Sequence, residues 1–356
     1  MVKILHGADF HLDSAFSALS AEQAAQRRQE QRSALEQLAA LCDGCDLVLL
    51  AGDLFDSAHI YRDTLDALKR FFAAVKAEIF IAPGNHDFVS GGSPYLAENW
   101  GENVHIFTKP TIERIHLERL HCDVYGAAFT AREMPPLLEN FRAADPEALN
   151  LMVLHGELQA NSVYNAVAPD QIESSGLDYL ALGHVHLGQA RQFGRTLCAW
   201  PGCLMGRGFD ECGQKGVLRV EAEKGACRAE FVPVLTRKYE ILKVPAGDDP
   251  QRSVREALPE SAAQDCLRVI LTGEAESIDL SALEEALRGC CYSLSLRDAT
   301  VPRQELWAAC GSDTLRGQFL RNLKERYDRS DEEERRKIVL AAQLVTALMD
   351  GREAPL

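Results

Sequence analysis

Five strand-like runs in this chain each end on a short polar motif, and that repeated arrangement limits the fold more than any other feature. The runs cover residues 2–5, 46–50, 78–82, 151–154 and 179–182. The motifs that follow are Asp9-Phe10-His11, Gly52-Asp53-Leu54-Phe55-Asp56, Gly84-Asn85-His86-Asp87, His155-Gly156-Glu157 and Gly183-His184-Val185-His186. Short apolar runs bounded by Gly and Asp read as buried strands. Side chains at the ends of neighbouring strands converge on one rim of a sheet, where an α/β fold can hold many polar groups rigidly. Of the ten histidines in the chain, five lie in these motifs, so the rim is rich in the groups that divalent ions take as ligands.

The 356 residues suggest two or three domains, and a hydrophobic fraction of 46% supplies a sizeable core. A net charge of −15 argues against bulk attraction to nucleic acid or anionic membranes. A phosphate-bearing substrate would have to be held by metals and local basic groups. No apolar run reaches the roughly 18–20 residues that span a bilayer, and the N-terminus leads straight into a strand, so a cytoplasmic protein is expected. Eleven cysteines without framework spacing read as reduced thiols. The pair Cys42 and Cys45 lacks a second pair and reads as a turn between a helix and the next strand.

Between the motifs, strand and helix alternate. Residues 21–41 carry Leu35, Leu38 and Leu41 at helical spacing, and residues 62–75 carry Leu65, Leu68, Phe71 and Phe72. From Val104 onward short strands dominate. Early βα units followed by antiparallel strands predict an α/β fold of two packed sheets with helices outside. A first domain is expected over 1–238. Residues 239–302 read as a small α/β module, and 303–356 as a helical tail with apolar stripes through Leu315, Phe319 and Leu323 and through Ile338, Leu344 and Leu348. The polar stretch 328–331 supplies an N-cap for the second tail helix.

Carboxylate, amide oxygen and imidazole together suit hard or borderline divalent ions. Asp9 and His11 are two apart, as are His184 and His186, and on an extended chain that spacing puts both side chains on one face. Asp53, flanked by Gly52, is placed to bridge two ions. Asn85 offers a neutral oxygen. His86 follows it directly and must point elsewhere, which suits chemistry better than ligation. Each motif alone has an ordinary structural explanation: a turn, a surface pair or a satisfied core histidine. Their order along the chain is what points to a binuclear site. His6, His59, His105, His116 and His121 fall outside the motifs and read as structural or solvent-exposed.

The ordered motifs resemble those of the calcineurin-like metallophosphoesterase superfamily. More narrowly, residues 6–14 (HGADFHLDS) and 51–57 (AGDLFDS) resemble the SbcD-type DNA exonucleases, and 206–211 (GRGFDE) with Lys215 and Gly216 resemble their YhaO-like branch. The resemblance covers residues 1–240 well and the rest in outline. It implies a metallophosphoesterase fold and a two-metal site. One ion would take Asp9, His11, Asp53 and His186, and the other Asp53, Asn85, His155 and His184. His86 would be the catalytic proton donor. Position 56 departs from archaeal and eukaryotic relatives, which carry histidine where this chain has Asp56. Manganese is the metal the resemblance implies, and iron or zinc also fit the ligand types.

The expected function is therefore a DNA exo- or endonuclease subunit acting in DNA repair with an SbcC-like coiled-coil ATPase, docked through the tail. A homodimer is an assembly the resemblance allows. A small-molecule phosphodiesterase or phosphatase would use the same site. A non-catalytic scaffold would have no need of the full ligand set and His86.

Overall fold

The computed structural model describes residues 1–275, 278–302 and 306–349. The backbone divides into two compact units, Met1–Glu240 with Gln264–Cys266, and Ile241–Ala263 with Leu267–Leu356. The helices after residue 306 thus share a unit with the small α/β module.

In chain order the strands of the first unit are β1 (Val2–Gly7), β2 (Leu47–Leu50), β3 (Glu78–Ile81), β4 (Val104–Ile106), β5 (Glu113–Leu117) and β6 (Cys122–Gly126). They continue with β7 (Leu149–His155), β8 (Tyr179–Gly183), β9 (Gln189–Phe193), β10 (Thr196–Trp200), β11 (Gly216–Glu223) and β12 (Ala226–Pro233). Its helices are α1 (Ala21–Leu41), α2 (Arg62–Ala74), α3 (Pro94–Ala97) and α4 (Pro169–Ser174). One sheet has the order β12-β11-β1-β2-β3-β4 and the other β5-β6-β7-β8-β10-β9. β1 to β4 are mutually parallel, as are β6, β7, β8 and β10. The later strands are therefore not the antiparallel set expected: β7 and β8 are continuously buried runs with parallel neighbours, and antiparallel pairing is left to β5, β9, β11 and β12. Parallel pairing puts the C-terminal ends of β1, β2 and β3 on one edge of the first sheet, and those of β7 and β8 on one edge of the second.

Alternation along the strands builds three layers of core. Leu47, Leu49 and Phe80 face inward with Ile4 and pack with Val124, Leu151, Val153, Tyr179 and Ala181 of the second sheet. The opposite faces of the same strands, Leu5, Val48, Leu50, Ile79 and Ile81, pack beneath Leu35 and Leu38 of α1 and Leu68, Phe71 and Phe72 of α2. The outer face of the second sheet, with Met152, Leu154, Leu180, Leu182 and Trp200, is covered around Ile172 of α4. The capping box at Ser20 starts α1 at the expected residue, and Gly44 in the left-handed region turns the chain between Cys42 and Cys45. β9 had no readable signal. It is an edge strand with Ala190, Arg191 and Gln192 exposed, so no apolar alternation marks it.

The chain crosses into the second unit within β13 (Tyr239–Pro245). There follow α5 (Pro250–Ala257), β14 (Cys266–Thr272), β15 (Glu274–Ala275), α6 (Leu280–Ala286), β16 (Ser293–Asp298) and β17 (Val301–Pro302). β13, β14 and β16 form a three-stranded sheet whose core holds Val244, Val254, Val269, Leu271 and Leu283. Two helices follow, α7 (Leu315–Arg329) and α8 (Glu332–Met349). Asp331 accepts from the Glu334 N–H and so supplies the expected cap of α8. Among the described residues, no helix is long and apolar enough to cross a membrane.

Candidate metal centre

The loops after β1, β2, β3, β7 and β8 meet where the two sheets present their C-terminal edges. Asp9, His11, Asp53 and His155 are buried there, and His86 is exposed. Asp9 and His11 do not lie on an extended strand as the spacing suggested. Their φ angles are +53° and +44°, and those of Asp53 and His184 are +51° and +86°. Four residues of the cluster thus stand in the left-handed region, which costs on the order of 1–3 kcal/mol apiece for non-glycine residues. The surrounding hydrogen bonds hold them there: the Asp9 N–H donates to the Gly52 carbonyl at 3.0 Å and the His11 N–H to the Asp53 carbonyl at 2.9 Å. The His184 N–H donates to both Asp9 oxygens, at 3.0 and 3.1 Å. Space is tight enough to require glycine twice. A Cβ on Gly52 would lie 2.5 Å from His155 Nδ1, and one on Gly84 would lie 2.2 Å from Asp53 Oδ1.

Two groups of donor atoms form. In one, His155 Nε2, His184 Nδ1 and Asn85 Oδ1 lie 2.9 to 3.2 Å from each other. In the other, His11 Nε2 is 3.1 Å from His186 Nε2, with Asp9 Oδ1 3.9 Å from the latter. Asp53 lies between them, its Oδ2 3.4 Å from His155 Nε2 and 3.8 Å from His11 Nε2. Ligands about 2.0–2.2 Å from a single ion sit roughly 3 Å apart at tetrahedral or octahedral angles. The spacing of the Asn85, His155 and His184 group matches that of donors around one ion, Asp9 stands farther from His186 in the other group, and the Asp53 carboxylate lies between the two. Potential ligand atoms within 4.8 Å of one another include those of Asp9, His11 and His186, of Asp9, Asp53 and His155, and of His11, Asp53 and His86.

Each of the four inner histidines turns its other ring nitrogen toward an oxygen. His155 Nδ1 faces the Ala51 carbonyl at 2.9 Å, so Nδ1 carries the hydrogen. His186 Nδ1 faces Glu211 Oε1 at 2.7 Å. His11 Nδ1 lies 3.1 Å from Asp56 Oδ1, a close contact without the alignment of a hydrogen bond. His184 Nε2 is 3.6 Å from Glu157 Oε1, and the Tyr164 ring lies over His184 at 4.8 Å. Such outer partners fix tautomer and ring orientation at metal sites.

The charges are arranged accordingly. Burial alone would push the Asp53 carboxyl up, but the charge and hydrogen bond of His155, with His11 and His86, hold it far below the usual carboxylate range. Burial works against a charged His155, yet Asp53 and Asp9 raise it to about 9. Burial takes His11 and His184 down to about 4, and it pushes the Asp9 carboxyl up. Burial also works against a charged His186, yet its hydrogen bond to Glu211 raises it, so without ions the cluster holds two ion pairs, Asp53–His155 and Glu211–His186.

The remaining motif residues have distinct places. His86 Nδ1 lies 3.1 Å from the Asp56 carbonyl, and its ring meets that of His11 edge-on at 4.9 Å. Asn85 and His86, adjacent in sequence, therefore serve opposite sides. Asp87 is buried and accepts from the N–H groups of Gly84, Asp53, Leu54 and Phe55 at 2.7 to 3.3 Å and from Tyr95 Oη at 2.5 Å. It ties the β2 and β3 loops together. His6 stays in the core between the sheets, with Nδ1 2.8 Å from Tyr179 Oη, and burial lowers it to about 3. His105 pairs with Glu78 and His116 with Asp123, both away from the cluster. Sequence reading missed Glu211 and Arg207 as neighbours of the site. Arg207 donates to Asp56 at 2.9 Å and to Glu211 at 2.7 Å. The signal was present in the GRGFDE stretch, but nothing in its spacing tied it to His11 or His186.

Comparison with known proteins agrees with this geometry. The model of the calcineurin-like phosphoesterase family matches residues 2–188. The uncharacterized metallophosphoesterase YhaO of Bacillus subtilis strain 168 is 28% identical over 329 residues, spanning 84% of this chain and 78% of the relative. The SbcD component of the nuclease SbcCD, from the same organism, is 26% identical over 278 residues, spanning 63% of this chain and 67% of the relative. The DNA double-strand break repair protein Mre11 of Aeropyrum pernix is 29% identical over 269 residues, spanning 70% and 64%. The two packed sheets carry the metallophosphoesterase fold, and the His/Asp clusters are those of the binuclear site typical of that family. With the family's pattern running through more than half of its length, this chain belongs to the calcineurin-like phosphoesterases, and its chemistry is metal-dependent hydrolysis of phosphoesters.

Proposed function

We propose that this chain is a two-metal phosphodiesterase that cleaves DNA, acting as the nuclease subunit beside a coiled-coil ATPase. The observation that carries the two-metal reading is the Asp53 carboxylate, reaching His155 on one side and His11 on the other. The nuclease reading rests on the relatives named as a component of the nuclease SbcCD and as a DNA double-strand break repair protein. Asp9, His11, Asp53 and His186 would hold one ion and Asp53, Asn85, His155 and His184 the other. Manganese suits this mixed nitrogen and oxygen set. Two such ions would lower the pKa of water toward neutrality and neutralise charge on the phosphoryl oxygens.

The chain's own groups do the rest. The four left-handed residues are fixed before substrate arrives, so the donors need little rearrangement. His86 holds its Nδ1 hydrogen toward the Asp56 carbonyl, which leaves Nε2 as the nitrogen that would protonate the leaving oxygen, a contribution of roughly 10²–10⁴-fold. For partner docking, we assign the tail 303–356. In α7, Leu315 is 76% exposed, whereas Leu320 is buried, so only part of its apolar stripe is used within its own unit.

A manganese-dependent nuclease assay on single- and double-stranded DNA, with and without a coiled-coil ATPase partner, tests the reading. Turnover of free nucleotides or small diesters with no cleavage of DNA would replace it by a small-molecule phosphodiesterase. Leu315→Glu should leave cleavage of short DNA unchanged and weaken co-purification with the ATPase about tenfold or more. Unchanged co-purification would remove α7 from the docking surface.

A further inference from the structure

The stretch Gly206–Glu211 is not used by the chemistry above, yet it lies directly behind one half of the metal cluster. His11 and His186 bring their Nε2 atoms to 3.1 Å from each other. Behind them stand two carboxylates, Asp56 Oδ1 at 3.1 Å from His11 Nδ1 and Glu211 Oε1 at 2.7 Å from His186 Nδ1. A single guanidinium joins the two. Arg207 Nη1 donates to Asp56 Oδ1 at 2.9 Å and Nη2 to Glu211 Oε1 at 2.7 Å, while Nε and the backbone N–H of Arg207 also reach Glu211. The Glu211 side chain is 4% exposed, Arg207 22% and Asp56 26%.

We propose that Arg207 is a positioning residue: by gripping Asp56 and Glu211 together it fixes the orientation of His11 and His186, and so sets the affinity of one metal position and not the other. The inference rests on reading the cluster as a two-metal site. Three physical points support it. Two carboxylates side by side repel, and a planar fork with fixed N–H directions both neutralises them and sets their separation. The fork is itself anchored, because the fully buried Arg27 of α1 donates from Nη2 to the Gly206 carbonyl at 2.9 Å, with its guanidinium near the rings of Phe16 and Tyr239. The other histidine pair is held differently: His155 leans on the Ala51 backbone carbonyl, and His184 is 3.6 Å from Glu157. Carboxylates behind ligating imidazoles raise their basicity and hold their rings, and their loss commonly costs roughly 10- to 100-fold in metal affinity.

The test is a manganese titration of the metal-free full-length protein, followed by calorimetry and by electron paramagnetic resonance of the bound ions. The wild type should take two Mn²⁺. Arg207→Ala and Glu211→Gln should each weaken one position by about 10- to 100-fold and leave the other within about twofold, so the signal of the coupled ion pair appears only at higher metal. Arg207→Lys should recover part of the loss, since a lysine can neutralise one carboxylate but cannot grip both. Glu221→Gln, on the exposed side of β11, should change nothing. If Arg207→Ala does not fold by circular dichroism, Asp56→Asn carries the same expectation from the partly exposed end of the clamp. Equal weakening of both positions, or a change under about twofold at both, would overturn the proposal. So would an increase in KM for a DNA substrate with Mn²⁺ binding unchanged, which would make Arg207 a substrate contact. A wild type that binds fewer than two Mn²⁺ would instead overturn the two-metal reading, which keeps the two failures apart.

Discussion

Each half of the cluster sets two imidazoles beside an oxygen donor, the Asn85 amide in one and the Asp9 carboxylate in the other, but the imidazoles are supported differently. The Asn85, His155 and His184 half rests on main chain: β7 ends on His155, its Nδ1 hydrogen goes to the Ala51 carbonyl, and Asn165 Nδ2 holds the His155 carbonyl at 2.9 Å. The Asp9, His11 and His186 half rests on ionised side chains, Asp56 and Glu211, linked by Arg207. Main-chain support is fixed once the sheets form and is insensitive to most substitutions. Side-chain support is tunable, since a change of charge or length alters the basicity and aim of the imidazoles it holds. The difference teaches that two clusters of similar donors can be braced in different ways; on the two-metal reading, the position on the GRGFDE side would be the tunable one.

The strongest challenge to that division is to remove what the halves share. Asp53→Ala deletes the carboxylate that reaches both His11 and His155, so both ions and all activity above background should be lost together. Metal analysis that still finds two ions per chain would end the bridging assignment.

Next in size is His86→Ala. Here both ions should remain, and turnover of diesters with poor leaving groups should fall by roughly 10²–10⁴-fold. An activated ester should suffer much less, because its leaving oxygen needs no proton. Equal losses on the two substrates, or loss of an ion, would place His86 among the ligands of the Asp9 half.

The pH dependence of metal uptake sharpens the comparison on the other half. His155 faces Asp53, Asp9 and His184, and in the metal-free protein its pKa is raised to about 9. A group with a raised pKa holds its proton below that value, so an ion must displace that proton, and apparent affinity should fall about tenfold per unit as pH drops from about 9 toward 7. Calorimetry at about pH 7.5 in buffers of different ionisation enthalpy should show proton release. Buffer-independent heats would mean that His155 is already neutral.

The smallest expected effect belongs to Glu157→Gln. At 3.6 Å from His184 Nε2, Glu157 is too distant for a strong charge-assisted bond, and Mn²⁺ affinity should change by less than about threefold. A loss as large as that expected for Glu211→Gln would erase the distinction between the halves.

Much of this architecture is legible in the sequence alone. The runs of β1, β2, β3, β7 and β8 carry a local signal because buried parallel strands are continuously apolar, and their end motifs carry the ligand types. What escapes is what depends on distant parts of the chain. Arg207 meets Asp56 across 151 residues and Glu30 of α1 meets Arg237 across 207, and no local pattern encodes such pairings. The backbone of Asp9 and His11 escapes for another reason. A spacing of two is shared by an extended strand and by a turn, and only the hydrogen bonds to Gly52 and Asp53 decide for the turn.

Asp87 has a consequence for how many cations the rim can accept. Its carboxylate stands beside Asp53 and is as acidic in type as any ligand there. An ionised carboxylate offers about four lone-pair positions, and Asp87 already receives the N–H groups of Gly84, Asp53, Leu54 and Phe55 and the Tyr95 hydroxyl. It has no vacancy for an ion. A carboxylate well placed to recruit a further cation is thereby saturated by its own loops, and Asp87 serves the rim as a brace and not as a ligand.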